Sequence, residues 1–206
     1  ARLSKVRGGA VEVSPWNTKS TRDVTDGLIH DWIAATFVPG ATAQRAVVLL
    51  TDFSQHASFY APEVMASRLI SRQGDEYRSY LRLMKKKVIT VVLDTEYRTR
   101  YVPAGPGRVR GIVRSTKIAE VEDAGQAGER LKPVDTGYGF LWRLNSYWTI
   151  EERDGGVYLE LRSISLTRGV PFGLGTVIKP MVTALPRESL VATLEKTKRA
   201  LLASPK

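Results

Sequence analysis

Histidines and carboxylates are the side chains that most often bind metals or transfer protons, and this sequence combines them sparingly. The only histidines are His30 and His56, and a metal site built on them would need carboxylate ligands. Asp31 follows His30 directly, but neighbours in a strand point to opposite faces, so these two cannot readily chelate one ion. We therefore predict structural roles for both histidines and expect neither a metal nor another cofactor.

The sequence also lacks a convincing catalytic group. Glu151 and Glu152 are adjacent and should diverge, and Asp94 and Glu96 are expected to face solvent, so no pair forms a general acid and base. Cysteine is absent, which excludes disulfides, thiolate metal sites and a cysteine nucleophile. The Gly-Xaa-Ser-Xaa-Gly pattern and the phosphate loop ending in Gly-Lys-Ser/Thr are absent too. Tyrosine, serine, arginine or glutamate could still act in a pocket, but the sequence singles out none of them.

The last two predicted strands, joined at Asp154-Gly155-Gly156, present indoles and hydroxyls on one face. Glycines supply the positive φ angles of a tight turn, and the predicted register places Trp148 opposite Ser163 and Ser146 opposite Ser165. Large indoles facing small serines leave space and offer a few polar groups, which is typical of ligand pockets. The alternative is that side chains of a covering helix fill this space completely.

The periodicity predicts a strand, two short helices, six strands and a long final helix. Residues 1–26 are predicted to form a mostly irregular arm with one short strand near 11–13, and 27–206 a single domain. The predicted strands are 27–38, 64–71, 77–84, 88–102, 108–121, 140–152 and 157–167, and the helices are 42–50, 54–60 and a stretch reaching about 203 that Pro180 and Pro186 interrupt.

A sheet of about seven strands must cover its apolar face, and the long C-terminal helix is the available cover. We therefore predict an α+β fold in which a curved antiparallel sheet closes around that helix. Alternation along the strands and the apolar stripe of the helix then give the residues expected around a pocket. They are Ile89, Val91, Leu93, Tyr97, Val113, Trp142, Leu144, Ser146, Trp148, Leu161, Ser163, Ser165, Met181, Leu185, Leu190 and Leu194.

This order of elements and five segments within it resemble the START-like superfamily, also called SRPBCC or helix-grip, which includes the birch-pollen-allergen and polyketide-cyclase-like groups. The resemblance covers about residues 27–204 and is strongest to bacterial members. The segments are Ile29–Ile33 (IHDWI), Thr51–Val64 (TDFSQHASFYAPEV), Phe140–Trp148 (FLWRLNSYW), Ser163–Arg168 (SISLTR) and Ala184–Leu190 (ALPRESL).

The resemblance implies a helix-grip fold and the binding or transfer of a hydrophobic small molecule, such as a lipid, sterol or polyketide. The cavity would lie between the sheet and the C-terminal helix. The alternative is a cyclase-, aromatase- or hydrolase-like enzyme that uses the same cavity. We favour the non-catalytic reading, because the resemblance carries over no catalytic residue.

The formal net charge is +10, with its largest surplus of basic residues between Arg68 and Lys117. These arginines alternate with apolar positions, so we expect them on the solvent face of the sheet. Because no aromatic residues suited to base stacking punctuate that face, we expect no nucleic-acid partner. Peripheral contact with an anionic membrane remains an alternative use of this surface. The arginines concerned are Arg78, Arg82, Arg98, Arg100, Arg108, Arg110 and Arg114.

Composition and apolar run lengths are typical of a soluble globular protein. No segment approaches the roughly 20 consecutive apolar residues of a membrane-spanning helix. The chain begins with Ala1 rather than methionine. Export with removal of a signal peptide and a cytoplasmic location are therefore equally expected.

Overall fold

Ten strands and four helices make up the part of the chain that the computed structural model describes, which is residues 2–86, 90–137, 141–168 and 175–203, with backbone only for 175–182. The elements are α1 (Arg2–Arg7), β1 (Glu12–Pro15), β2 (Thr21–Val24), β3 (Gly27–Pro39), α2 (Ala43–Thr51), α3 (His56–Phe59), β4 (Val64–Gln73), β5 (Glu76–Lys86), β6 (Thr90–Pro103), β7 (Arg108–Glu122), β8 (Arg130–Leu131), β9 (Leu141–Arg153), β10 (Gly156–Arg168) and α4 (Gly175–Ala203).

The strands form one antiparallel sheet in the order β1-β3-β10-β9-β7-β6-β5-β4. The remaining two short strands pair at its margins, β2 with β3 and β8 with β7. This arrangement confirms the predicted α+β helix-grip class, with ten strands where the sequence predicted about seven. Of the three additional strands, β1 corresponds to the short strand predicted near 11–13, and β2 and β8 have four and two residues, too few for alternation to reveal them.

The N-terminal segment holds more regular structure than its sequence predicted, since α1 and β2 lie within it in addition to the expected short strand, β1. Helix α1 has only six residues, a length that is unstable without tertiary contacts. Its contacts come from Val6, which packs against Phe37 and Tyr158 on the sheet. Packing, rather than local propensity, therefore accounts for this helix.

The hydrophobic core lies between the sheet and α4. Leu190, Leu194 and Leu201 of α4 join Trp148 and Ile150 of β9 in one buried cluster. We call the sheet face that carries these strand residues the inner face and the opposite one the outer face. Helix α2 closes one end of the core through Ala46, Leu49 and Leu50, and begins at Thr42, whose hydroxyl accepts a hydrogen bond from the Arg45 amide.

The hairpin between β9 and β10 corrects the predicted register by two residues. The turn is Asp154-Gly155, with φ angles of 56° and 75°, and Arg153 pairs with Gly156. Asp-Gly suits the two-residue turn in which both φ angles are positive. Ser146 therefore lies opposite Ser163, and Trp148 opposite Leu161. Because the shift is even, every side chain keeps its predicted face.

Helix α4 is continuous from Gly175 to Ala203, although Pro180 and Pro186 were predicted to interrupt it. A proline removes one backbone hydrogen bond of a helix, and beyond Pro186 the helix is held by the burial of Leu190, Leu194 and Leu201. Within the described residues, no helix has the length and apolar character needed to cross a membrane.

Candidate ligand-binding site

The inner face of β9 and β10 combines large apolar side chains with serines. Trp148 is 6% exposed and Leu161, directly opposite, is 3% exposed. Leu144, Ser146 and Ser163 are half-buried, while Ser165, opposite Leu144, is 4% exposed. The Trp148 indole and the serine hydroxyls thus lie on one face of the β9–β10 hairpin.

Trp142, unlike the other predicted pocket residues of β9, has no residue directly opposite it in β10. The register shifts here, from Leu166 opposite Arg143 to Thr167 opposite Leu141. Trp142 is therefore left without a direct partner, and Leu141 lies opposite the inner-face residue Thr167. This irregularity is a β-bulge, a feature that alternation alone does not predict.

Strands β6 and β7 extend the inner face with buried tyrosine and threonine side chains. Tyr97, Thr95 and Thr99 are buried. A side chain at Gly111 would overlap the Tyr101 ring, so glycine at this position lets Tyr101 lie across the sheet toward Trp148. Burial raises the pKa of Tyr97 to about 12, with a hydrogen bond to Thr95 acting in the opposite direction. These phenols therefore stay protonated and can donate hydrogen bonds.

A second bulge changes which residues of β7 face inward. The pairing with β6 shifts between Glu96 and Tyr97, so that Ile118 and Glu120, rather than the odd-numbered residues, continue the inner face. Glu120 is buried opposite Leu93, and its carboxylate lies 2.6 Å from the Lys132 ammonium. The sequence did not predict this ion pair, because the bulge changes which residues of β7 face inward.

Strand β3 contributes two inner-face residues that were not predicted as site residues. Trp32 lies opposite Ser163, and His30 lies opposite Ser165. The indole Nε1 of Trp32 is buried and has no hydrogen-bond partner among the described residues. Alternation within the first predicted strand could have placed Trp32 here, because Ala34 and Val38 of the same face belong to the core.

His30 is buried and hydrogen-bonded on the inner face. It is 0% exposed, and its ring nitrogens lie 2.9 Å from the Thr167 hydroxyl and 3.1 Å from the Thr21 hydroxyl. Burial lowers the pKa of His30 to about 4, so the ring is neutral at physiological pH. As predicted for strand neighbours, Asp31 diverges and accepts two hydrogen bonds from Arg162, at 2.9 and 2.8 Å.

The other histidine closes the α2–α3 end of the core. His56 packs against Phe53 and Tyr60, with ring centroids 5.1 and 5.3 Å away. Burial lowers the pKa of His56 to about 4. The Tyr60 hydroxyl is hydrogen-bonded to Thr197 of α4 at 2.9 Å, which ties α3 to the covering helix.

The predicted pocket residues fall into two groups. Trp148, Leu161, Leu190 and Leu194 belong to the central cluster, and Val113 packs against it. Val91, Leu93 and Tyr97 lie along β6, outside that cluster, and Leu185 is half-buried on α4. Ile89 and the side chain of Met181 lie outside the described residues. Their positions alone do not test whether a ligand pocket lies among these residues, so the pocket stays a prediction.

The outer face carries a separate groove of about 350 Å³ between α1 and the sheet. It is lined by Leu3 and Val6 of α1 and by Ile33, Thr149 and Tyr158 of the sheet, together with charged residues. Since its sheet side chains point away from α4, this groove is distinct from the candidate site.

Comparison with known proteins identifies the fold. No protein-family model matches the sequence, and no curated protein is significantly similar to it. Among solved structures, a STAR-related lipid transfer protein from Xanthomonas axonopodis is similar with a TM-score of 0.57 and 20% identity, over 89% of this chain and 99% of that one.

Two further structures are similar. The Zhui aromatase/cyclase from a Streptomyces species has a TM-score of 0.57 and 14% identity, over 84% of this chain and 93% of that one. A human lipid transfer and protein localization domain has a TM-score of 0.55 and 10% identity, over 97% of this chain and 87% of that one. At these identities the similarity establishes the helix-grip fold alone.

Proposed function

We propose that this protein binds or carries a hydrophobic small molecule between the inner face of its sheet and α4. The observation that carries the proposal is the inner face itself, where Trp148 and Leu161 are buried and where Trp32 and Ser165 bury polar atoms that have no hydrogen-bond partner among the described residues. A purely structural core would pair or exclude such polar atoms. A ligand pocket keeps a few of them to orient its ligand.

The similar structures favour the same ligand class. They are a lipid transfer protein, an aromatase/cyclase, and a lipid transfer and protein localization domain. Lipids, sterols and polyketide-like molecules are therefore the first ligands to test. The burial of Tyr97, Thr95 and Ser165 on the inner face fits a mainly apolar ligand with few polar groups.

Native mass spectrometry of protein purified without detergent tests this proposal. The expected spectrum contains a species heavier than the 22.9 kDa chain, whose extra mass is released by denaturation and recovered in an organic extract. Ser163→Phe should remove that species by filling the space beside Trp32, whereas Ser71→Phe, on an exposed position of β4, should retain it. Circular dichroism controls for folding. Failure of the wild type to carry or bind any apolar molecule would overturn the proposal.

The enzyme alternative uses the same pocket and requires reacting groups inside it. The inner-face phenols could serve it as hydrogen-bond donors, because burial raises the pKa of both Tyr97 and Tyr101. It predicts that Tyr97→Phe abolishes the conversion of a bound molecule while leaving its binding intact. Equal product formation by the wild type and Tyr97→Phe would remove this residue from the chemistry.

A second candidate function is docking of the outer face onto an anionic membrane. Arg78, Arg98 and Arg114 lie directly opposite one another across β5, β6 and β7. Like charges in such a row are unfavourable unless an anion compensates them. Glu96 and Glu76 lie 3.4 and 3.2 Å from the first two guanidinium groups. Arg114 has no ion-pair partner among the described residues, which leaves it available for a lipid phosphate.

Vesicle co-sedimentation tests the docking. Binding to phosphatidylcholine vesicles should require added phosphatidylserine and should weaken with salt. Arg98→Gln combined with Arg114→Gln should reduce it more than Arg22→Gln, an exposed control on β2, combined with Lys19→Gln. Equal binding by both double variants, or preference for single-stranded RNA over vesicles, would refute this use of the outer face.

A further inference from the structure

We propose that Trp32 and Ser165 form a polar subsite on the inner face, which binds an acceptor oxygen of an otherwise apolar ligand. Such an oxygen would belong to a neutral carbonyl, ester or hydroxyl group. This inference rests on the proposed function and narrows it, since a plain hydrocarbon would leave the subsite unpaired.

The first observation is that both side chains bury a polar atom without a partner. The Nε1 of Trp32 and the Oγ of Ser165 are inaccessible, and neither forms a hydrogen bond with any described residue. Leaving a buried donor unpaired costs about 1–3 kcal/mol, and native proteins contain few such groups. Two of them on one face of a sheet therefore point to a missing partner.

The second observation is that the register brings these two residues together. Trp32 lies opposite Ser163 in the ladder between β3 and β10, and Ser165 lies opposite His30, on the same face and one pair further along. Diagonal neighbours of this kind are about 7–8 Å apart between backbones, within reach of an indole side chain. The indole can only donate, and the serine hydroxyl can donate as well. One oxygen between them could accept both hydrogen bonds.

The neighbouring residues in the sheet indicate whether the group that binds to Trp32 and Ser165 is charged or neutral. Ser165 has His30 on one side and Leu144 on the other, and Ser163 lies between Trp32 and Ser146. Both nitrogens of His30 lie within hydrogen-bond distance of Thr167 and Thr21. None of these neighbours carries a charge that would balance a phosphate or carboxylate, so a neutral oxygen fits best.

The stability of the ligand-free protein provides a first test. Ser165→Ala removes an unpaired buried hydroxyl and should leave the melting temperature unchanged or raise it. If Ser165 instead had a structural hydrogen bond, the variant would melt at a lower temperature, and the inference would be wrong. Ser71→Ala, at an exposed position, is the matched control.

Binding of two isosteric probes provides the second test. The probes are 2-acetylnaphthalene, which carries a carbonyl, and 2-isopropenylnaphthalene, in which a methylene group replaces that oxygen. The wild type should prefer the ketone by about 3- to 10-fold per hydrogen bond formed. Ser165→Ala and Trp32→Phe should each reduce this preference while leaving the affinity for the alkene unchanged. Trp16→Phe, at an exposed tryptophan, should leave both affinities unchanged.

The outcomes separate this inference from the function on which it rests. Equal affinities of the wild type for both probes, or a ketone preference that survives in the Trp32→Phe/Ser165→Ala double variant, would overturn the polar subsite and leave hydrophobic binding intact. Failure of both probes and of every lipid to bind would overturn the proposed function and this inference together.

Discussion

Truncating one leucine on each side of the candidate site should distinguish a packed core from a ligand pocket. Leu194 of α4 is 0% exposed and belongs to the central cluster. Leu144 of β9 is half-buried and lies opposite Ser165 on the inner face. We expect Leu194→Ala to destabilise the ligand-free protein far more than Leu144→Ala.

The expected magnitudes follow from burial. Replacing a fully buried leucine with alanine costs about 2–5 kcal/mol, since lost burial and a new cavity both contribute. The truncation removes three carbons, each worth about 0.8 kcal/mol when fully buried. For half-buried Leu144, half of that total is about 1 kcal/mol, and no cavity is added if the side chain already borders open space. Leu194→Ala should therefore cost at least about 2 kcal/mol.

Urea denaturation followed by circular dichroism measures both free energies of unfolding. Leu202→Ala, at an exposed position of α4, is the control and should change the free energy by less than about 0.5 kcal/mol. If Leu144→Ala destabilised the protein as strongly as Leu194→Ala, the space beside the serines would be packed. The pocket interpretation would then be refuted.

Two further predictions concern residues that hold the site in place. The pKa of His30 is about 4 in the folded protein against 6.5 for an unperturbed histidine, so its contribution to stability is complete above pH 6.5 and falls by about 2 kcal/mol by pH 5. His30→Gln should reduce the slope of the unfolding free energy against pH between pH 6.5 and 5 without abolishing it, because the pKa of His56 is also lowered to about 4; an unchanged slope would contradict the lowered pKa of His30. Gly156→Ala should destabilise the protein by more than the roughly 1 kcal/mol expected for Gly155→Ala. A Cβ atom at 156 would come within 2.6 Å of the Phe37 ring, whereas a Cβ atom at 155 would have none of the described atoms within 4 Å. Equal melting temperatures of the two variants would contradict this prediction.

The long strands could be predicted because period-two alternation is strong in them. Strands β5, β6, β7, β9 and β10 lie within a few residues of their predicted bounds. The sequence offered both Asp-Gly and Gly-Gly as the hairpin turn, and only the structure shows that Asp154 adopts a positive φ. The resulting error of two residues kept Trp148 and Leu161 on the expected face.

The features that sequence reasoning missed have different physical origins. The bulges near Trp142 and in β7 each insert a residue without changing the local composition. Helix α1 depends on contact with distant residues. Trp32 could have been found, because alternation along the first predicted strand places it on the same face as Ala34 and Val38. The unpaired state of its indole depends on packing, which alternation does not encode.

A crystal structure of the protein with bound 2-acetylnaphthalene tests the central claim most directly. We expect the probe between the inner face and α4, in contact with Trp148 and with its carbonyl oxygen toward Trp32 and Ser165. A probe found instead in the outer groove beside Val6 and Tyr158, with side chains packed solidly beneath α4, would contradict it.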